Sequence, residues 1–141
     1  MSNIFKLVNG DYLSPEKIER AYKESEIVKQ IFVYGDSSRE HVVAIIVPEK
    51  RVLKDYGKSL DLTLDVALLA KNKEVLEEIR LDLEEAAENA KLVEFEKIGP
   101  HFYLELDPWT DYDLLTPTQK LKRYLAKERY KPQIEKMYLR S

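Results

Sequence analysis

The run Val42 to Val47, VVAIIV, places six apolar residues side by side, most of them β-branched, directly before Pro48. Alternate residues of a strand point to opposite faces, so an unbroken apolar run fits a strand covered on both sides. The stretch is too short for a buried helix and is bounded by turn residues and a proline. Glu26 to Tyr34, EIVKQIFVY, is of the same kind and is separated from His41 to Val47 only by the turn-like Gly35-Asp36-Ser37-Ser38. The two read as paired core strands with helices packed against the sheet, which makes the fold class α+β.

The helices are legible around that sheet. Ser14 is a natural N-cap and Pro15 suits the first helical position, with Ile18, Ala21 and Tyr22 forming an apolar face. Glu49 to Tyr56 and Leu62 to Lys71 read as helical, the second with Val66, Leu69 and Ala70 inward. A long amphipathic helix runs from about Lys73 to Ala90, with Val75, Leu76, Ile79, Leu83, Ala86, Ala87 and Ala90 on its inner side. Beyond it, Ile98 to Leu106 suggests another strand, with Phe102, Leu104 and Leu106 alternating. Residues 107–113, DPWTDYD, form a turn-rich loop that Trp109 is expected to anchor. The last helix is predicted to carry Leu121, Tyr124 and Leu125 as its stripe, with Pro132 limiting it before a short turn bearing Ile134, Met137 and Tyr138.

Two segments at opposite ends of the chain carry chemistry. Near the N-terminus, IFKLVNGDYL consists of two short apolar strands flanking Asn9-Gly10, a tight hairpin signal whose central residues take positive φ. Near the C-terminus, Leu114 to Arg123 reads LLTPTQKLKR. Thr116, Pro117 and Thr118 suggest a turn leading into a helix, with Thr118 as N-cap and Lys120 in the first helical turn. A cation is unfavourable there by up to about 1 kcal/mol, unless it reaches an anion. Helical geometry turns Lys122 about 200° away from Lys120, so the two would not meet the same anion. These bases, with Arg123, Lys127, Arg129, Lys131, Lys136 and Arg140, also fit a solvated basic face.

Composition narrows the classes. A chain of 141 residues is one domain, able to bury roughly two-thirds of its unfolded surface. It has no cysteine, which removes disulfides and thiolate metal sites and suits a cytoplasmic protein. His41 and His101 have no spaced ligand partners, so no metal site is expected. No run approaches the ~18 apolar residues of a membrane span. Net charge is −3, with nine acids against three bases in residues 72–96 and eight bases against two acids in residues 117–140.

LLTPTQKLKR resembles the C-terminal lysine motif of adenylate-forming enzymes, in the form found in long-chain acyl-CoA synthetases. IFKLVNGDYLSPEKIE, residues 4–19, is similar to the segment that follows the hinge between the large and small domains of those enzymes. The resemblance covers nearly the whole chain and implies the mobile small domain of a long-chain fatty acid–CoA ligase, with residues 1–14 as a hairpin for the thioester step, 15–113 as scaffold and 114–141 as the lysine loop and C-terminal helices. The family's hinge segment and phosphate loop are not seen, and the four glycines are not clustered. A separate large domain is therefore the implied partner, and the 141 residues alone are expected to be inactive.

In that family, ATP and Mg²⁺ convert a fatty acid to acyl-AMP and pyrophosphate, and coenzyme A then displaces AMP. The resemblance assigns Lys120 to the first step, with Thr116 and Thr118 in the loop presenting it, and Gly10 and Lys6 to the coenzyme A step. Two alternatives stand beside it: a binding module whose basic helices, with Tyr124 and Tyr130, contact nucleic acid or anionic lipid, and a free-standing interaction domain.

Overall fold

In the computed structural model, which describes residues 3–140, the central sheet has the order β3-β4-β5. Met1, Ser2 and Ser141, which end the expected domain, lie outside the described residues. The elements follow as β1 (Phe5–Lys6), β2 (Tyr12–Leu13), α1 (Pro15–Lys23), β3 (Val28–Tyr34), β4 (Val43–Pro48), α2 (Lys50–Ser59), α3 (Val66–Leu69), α4 (Lys73–Asn89), β5 (Phe102–Leu104), α5 (Arg123–Arg129) and α6 (Lys131–Leu139). Strand β4 lies in the middle, antiparallel to β3 and parallel to β5. All six of its residues are buried.

The alternation along β3 and β4 creates two cores. Ile31, Val33, Ala44 and Ile46 face Ile18, Tyr22, Leu53, Ile79 and Leu83 of the helices α1, α2 and α4. Phe32, Val43, Ile45 and Val47 face the other way, onto Trp109, Leu114, Leu115, Ala126, Tyr130 and Ile134. The continuous apolar strand thus has the double cover its composition requires. Trp109 is 5% exposed and donates its Nε1–H to Tyr130 Oη at 2.7 Å, which anchors the 107–113 loop within the second core.

Helices begin where their caps say. Ser14 Oγ accepts the Lys17 amide, and Asn72 Oδ1 accepts those of Glu74 and Val75. Three expectations need correction. The predicted 62–71 helix contracts to Val66–Leu69, capped by Asp65, and Ala90 follows α4 as an exposed residue. The expected Asn9-Gly10 turn with two positive φ values is a longer turn in which only Gly10, at φ 95°, is left-handed. Gly10 donates to the Leu7 carbonyl at 3.0 Å and Leu7 donates to that of Asp11 at 2.9 Å.

The C-terminal end differs most. Residues 131–139 form a full helix with Pro132 inside its first turn, where its missing N–H costs nothing. Tyr124 and Leu125 of α5 are exposed, at 75% and 45%, and Ala126 and Tyr130 make the buried contacts instead. Small Ala126 lets the short helix lie close against the sheet, while Tyr130 fills the space between its Trp109 and Glu105 partners.

Candidate active site

The lysine loop is a five-residue turn on a short β stem. Leu115 pairs antiparallel with Leu121, and the Lys122 amide donates to the Leu114 carbonyl at 2.7 Å. Within it the Gln119 amide donates to the Thr116 carbonyl at 2.8 Å and the Thr116 amide to the Lys120 carbonyl at 2.8 Å. Pro117 fixes the first corner, and Gln119 adopts φ 66° to close the turn. Helix α5 starts only at Arg123. The expectation that Thr118 caps a helix holding Lys120 in its first turn is therefore wrong: closure onto Leu115 captures the chain first. The dipole argument for Lys120, and the helical separation of Lys122 from it, fall with that helix.

The two threonines act within the turn. Thr116 Oγ1 accepts the Lys120 amide at 3.0 Å and lies 3.1 Å from Thr118 Oγ1. Gln119 Nε2 donates to Asp111 Oδ1, which ties the turn to the Trp109 loop. Lys120 is exposed, and its Nζ meets no acceptor among the described residues. A fixed backbone with a free ammonium at its tip can deliver a positive charge to an external anion.

Lys120 opens onto a groove of about 540 Å³ whose walls include Glu16, Glu19, Arg20, Lys23, Lys29 and Arg123. Arg20, Lys23 and Lys29 form no ion pair among the described residues. Arg123 is spoken for: its Nη1 and Nη2 donate to the two carboxylate oxygens of Glu19 at 2.9 and 2.5 Å. Glu19, 8% exposed, also accepts the Val33 amide at 2.7 Å. Burial pushes the Glu19 carboxyl up, opposed by Arg123 and the Val33 amide. Among the bases of the motif, Lys120 alone is both exposed and free to swing.

The Glu19–Arg123 pair escaped the sequence reading, although a signal was present. Pro15, Ile18, Glu19 and Tyr22 follow helical spacing and all are buried, so a carboxylate stands on the core-facing side of α1. A charge at such a position requires a buried partner. The basic face expected at the C-terminus is also partly neutralised, since Arg129 pairs with Asp113 and holds its carboxyl below the usual range.

Neither Lys6 nor Gly10 lines the Lys120 groove. Lys6 is exposed on β1, its Nζ 5.8 Å from the Tyr12 ring centroid, and a Cβ placed on Gly10 would find nothing within 4 Å. The hairpin is seated firmly behind that open tip. Phe5 packs on Gly35 so closely that a Cβ there would lie 2.6 Å from its ring, and the Val8 amide donates to the Arg39 carbonyl at 2.9 Å. His41 and His101, which looked isolated in sequence, stack on each other with centroids 4.1 Å apart. Among the described residues no three His, Asp or Glu side chains are grouped to hold a metal ion.

Residues 2–141 match the family model described as AMP-binding enzyme C-terminal domain. The chain is 41% identical over 140 residues to fatty acyl-CoA synthetase A of Dictyostelium discoideum, covering 96% of this chain and 21% of that protein. It is 36% identical over 137 residues to long-chain-fatty-acid–CoA ligase 5 of Mus musculus, covering 96% and 20%. Among solved structures it resembles the adenylation domain of a carboxylate reductase from Mycobacterium chelonae, with TM-score 0.80, 33% identity and 97% and 19% coverage. It also resembles the carboxylic acid reductase A domain from Segniliparus rugosus in complex with AMP and a co-purified carboxylic acid, with TM-score 0.79, 29% identity and 98% and 20% coverage. The chain spans about a fifth of the length of the relatives it matches. With the family model matched across residues 2–141, the chain belongs to the family of AMP-binding enzyme C-terminal domains.

Proposed function

We propose that this chain serves as the C-terminal domain of a long-chain fatty acid–CoA ligase, an acid–thiol ligase working through an acyl-adenylate. The observation that carries the reading is the seating of Lys120: an unpaired ammonium on a closed turn, within a chain of which 96% aligns with a fatty acyl-CoA synthetase.

In the first half-reaction a fatty acid carboxylate oxygen attacks the α-phosphorus of ATP, forming acyl-AMP as pyrophosphate leaves. Two anions approach each other there, and Lys120 Nζ bridging carboxylate and α-phosphate offsets that repulsion and the growing transition-state charge. Thr116 and Thr118 hold the turn. Mg²⁺ would neutralise phosphate charge, and no residue of this chain is assigned to it. In the second half-reaction the coenzyme A thiol attacks the acyl carbon and AMP departs. The hairpin serves that step, with the side-chain-free tip at Gly10 bordering the pantetheine and Lys6 beside it. That the lysine turn and the hairpin tip line different surfaces supports a domain that turns one face, then the other, to a large partner domain.

The reading of the C-terminal helices as a nucleic-acid or lipid surface draws no support from the comparisons, and Arg123 and Arg129 are consumed in ion pairs. No helix of the described residues is long and apolar enough to cross a membrane. A cytoplasmic setting remains part of the proposal.

The test is complementation. The chain is supplied to, or fused after, the large domain of a long-chain ligase with ATP, Mg²⁺, palmitate and coenzyme A. The chain alone should release no pyrophosphate, the combination should form palmitoyl-CoA, and Lys120→Ala should abolish the gain. Fatty-acid-dependent pyrophosphate release by the 141 residues alone, or an undiminished gain with Lys120→Ala, would contradict the proposal.

A further inference from the structure

Glu19 and Arg123 stand 104 residues apart and tie the lysine motif to α1. Their pair has three features that an incidental surface bridge lacks. The geometry is bidentate, with both guanidinium Nη atoms on both carboxylate oxygens. Glu19 is buried, and its carboxylate also accepts the Val33 amide of β3. The guanidinium reaches a second acid, with Nε 3.8 Å from Glu16 Oε1, and that carboxylate accepts the backbone and side-chain N–H groups of Asn3 at 3.0 and 2.8 Å.

Only Leu121 and Lys122 separate Arg123 from Lys120, and both are held in the stem, Leu121 by its bridge to Leu115 and Lys122 by the hydrogen bond its amide donates to the Leu114 carbonyl. A shift of Arg123 therefore passes along a short, hydrogen-bonded strand to the tip. The same residues line one groove, so Arg123 also neutralises the carboxylates that would otherwise face the cation.

We infer that Glu19 and Arg123 are positioning residues for Lys120, fixing the stem of its turn to α1 and β3 so that the ammonium enters the adenylation site in one orientation. This rests on the proposed role of Lys120. It requires an arginine, because a lysine would supply the charge without the planar fork that sets direction. A misplacement of about 1 Å at a catalytic group costs on the order of 10²-fold in rate.

The experiment uses a ligase carrying this domain after its large domain and compares Glu19→Gln, Arg123→Lys and Lys120→Ala. The kcat for pyrophosphate release, KM for ATP and thioester formation from supplied acyl-AMP are measured. Glu19→Gln keeps shape and an acceptor for Val33, and Arg123→Lys keeps charge. Both should lower the adenylation kcat by about 10²-fold while leaving KM for ATP and the thioester step unchanged. In the 141-residue chain, amide exchange at Lys120 should quicken by at least about tenfold in Glu19→Gln, a readout independent of catalysis. Equal losses in both half-reactions, full adenylation in both variants while Lys120→Ala is inactive, or unaltered exchange at Lys120 would each overturn the positioning role. Undiminished adenylation in Lys120→Ala would instead overturn the function on which it rests.

Discussion

Gly10 and Gln119 occupy the same place in two turns of one construction. In each, the residue of positive φ donates its amide three residues back, and the turn's first residue donates to the carbonyl just beyond it. Gly10 takes φ 95° without a side chain, whereas Gln119 takes φ 66° with one. Left-handed backbone costs a non-glycine residue about 1–2 kcal/mol. Gly10→Ala should therefore lower the unfolding free energy by about 1 kcal/mol, all of it backbone strain, since the added Cβ meets nothing within 4 Å. Gln119→Gly should do the reverse, raising stability by up to about 1 kcal/mol if the lost Asp111 bond is worth little at the surface. Urea unfolding of both variants measures this, and a neutral Gly10→Ala would contradict the turn geometry. The motif singled out Lys120 as a candidate but did not show how its turn is built. Thr-Pro-Thr opens a turn or a helix equally well, and the pairing of Leu115 with Leu121 that decides between them depends on both leucines packing under the second core.

At the scale of elements, the apolar run of β4 announced a strand covered twice, and Ser14 with Pro15 announced where α1 starts. Alternation and caps are local signals, so they survive without knowledge of neighbours. The division of the C-terminus into α5 and α6 is not local. Tyr124 and Leu125 satisfy helical periodicity yet lie outward, because the inward side is set by Tyr130 reaching Trp109 and Glu105. That cluster should be costly to disturb. Trp109→Phe leaves Tyr130 Oη without its donor and the indole's space part-empty, so we expect a loss of about 1–3 kcal/mol in thermal or urea unfolding. A variant as stable as the parent would show that Trp109 is not what fastens the 107–113 loop.

Across the whole molecule, the stacked His41 and His101 join the hairpin side to α6, since the Tyr138 hydroxyl donates to the His41 carbonyl at 2.8 Å and Arg39 lies over the Tyr138 ring. Burial, and then the neighbouring His41, lower the His101 pKa from its ordinary value of 6.5. The unfolded chain thus binds a proton at a pH where the folded chain does not. Stability from this group is complete above about pH 6.5 and is lost as pH falls below it. The drop in unfolding midpoint between pH 7.5 and 5.5 should be smaller in His101→Gln than in the parent, and an identical drop would assign the acid sensitivity elsewhere. The stacking itself was invisible in sequence, since 60 residues separate the two histidines and only the parallel pairing of β5 with β4 brings them together.

The proposed place of this chain in a larger ligase turns on Lys120, and a comparison of the two half-reactions tests it. In a ligase carrying this domain, acyl-AMP formation from palmitate and ATP is measured for the parent and for Lys120→Ala, alongside palmitoyl-CoA formation from supplied palmitoyl-AMP. Lys120→Ala should lose the first by at least about 10²-fold and retain the second, since the proposed task of the ammonium is confined to the meeting of two anions. Equal loss of both, or loss of the second alone, would contradict it.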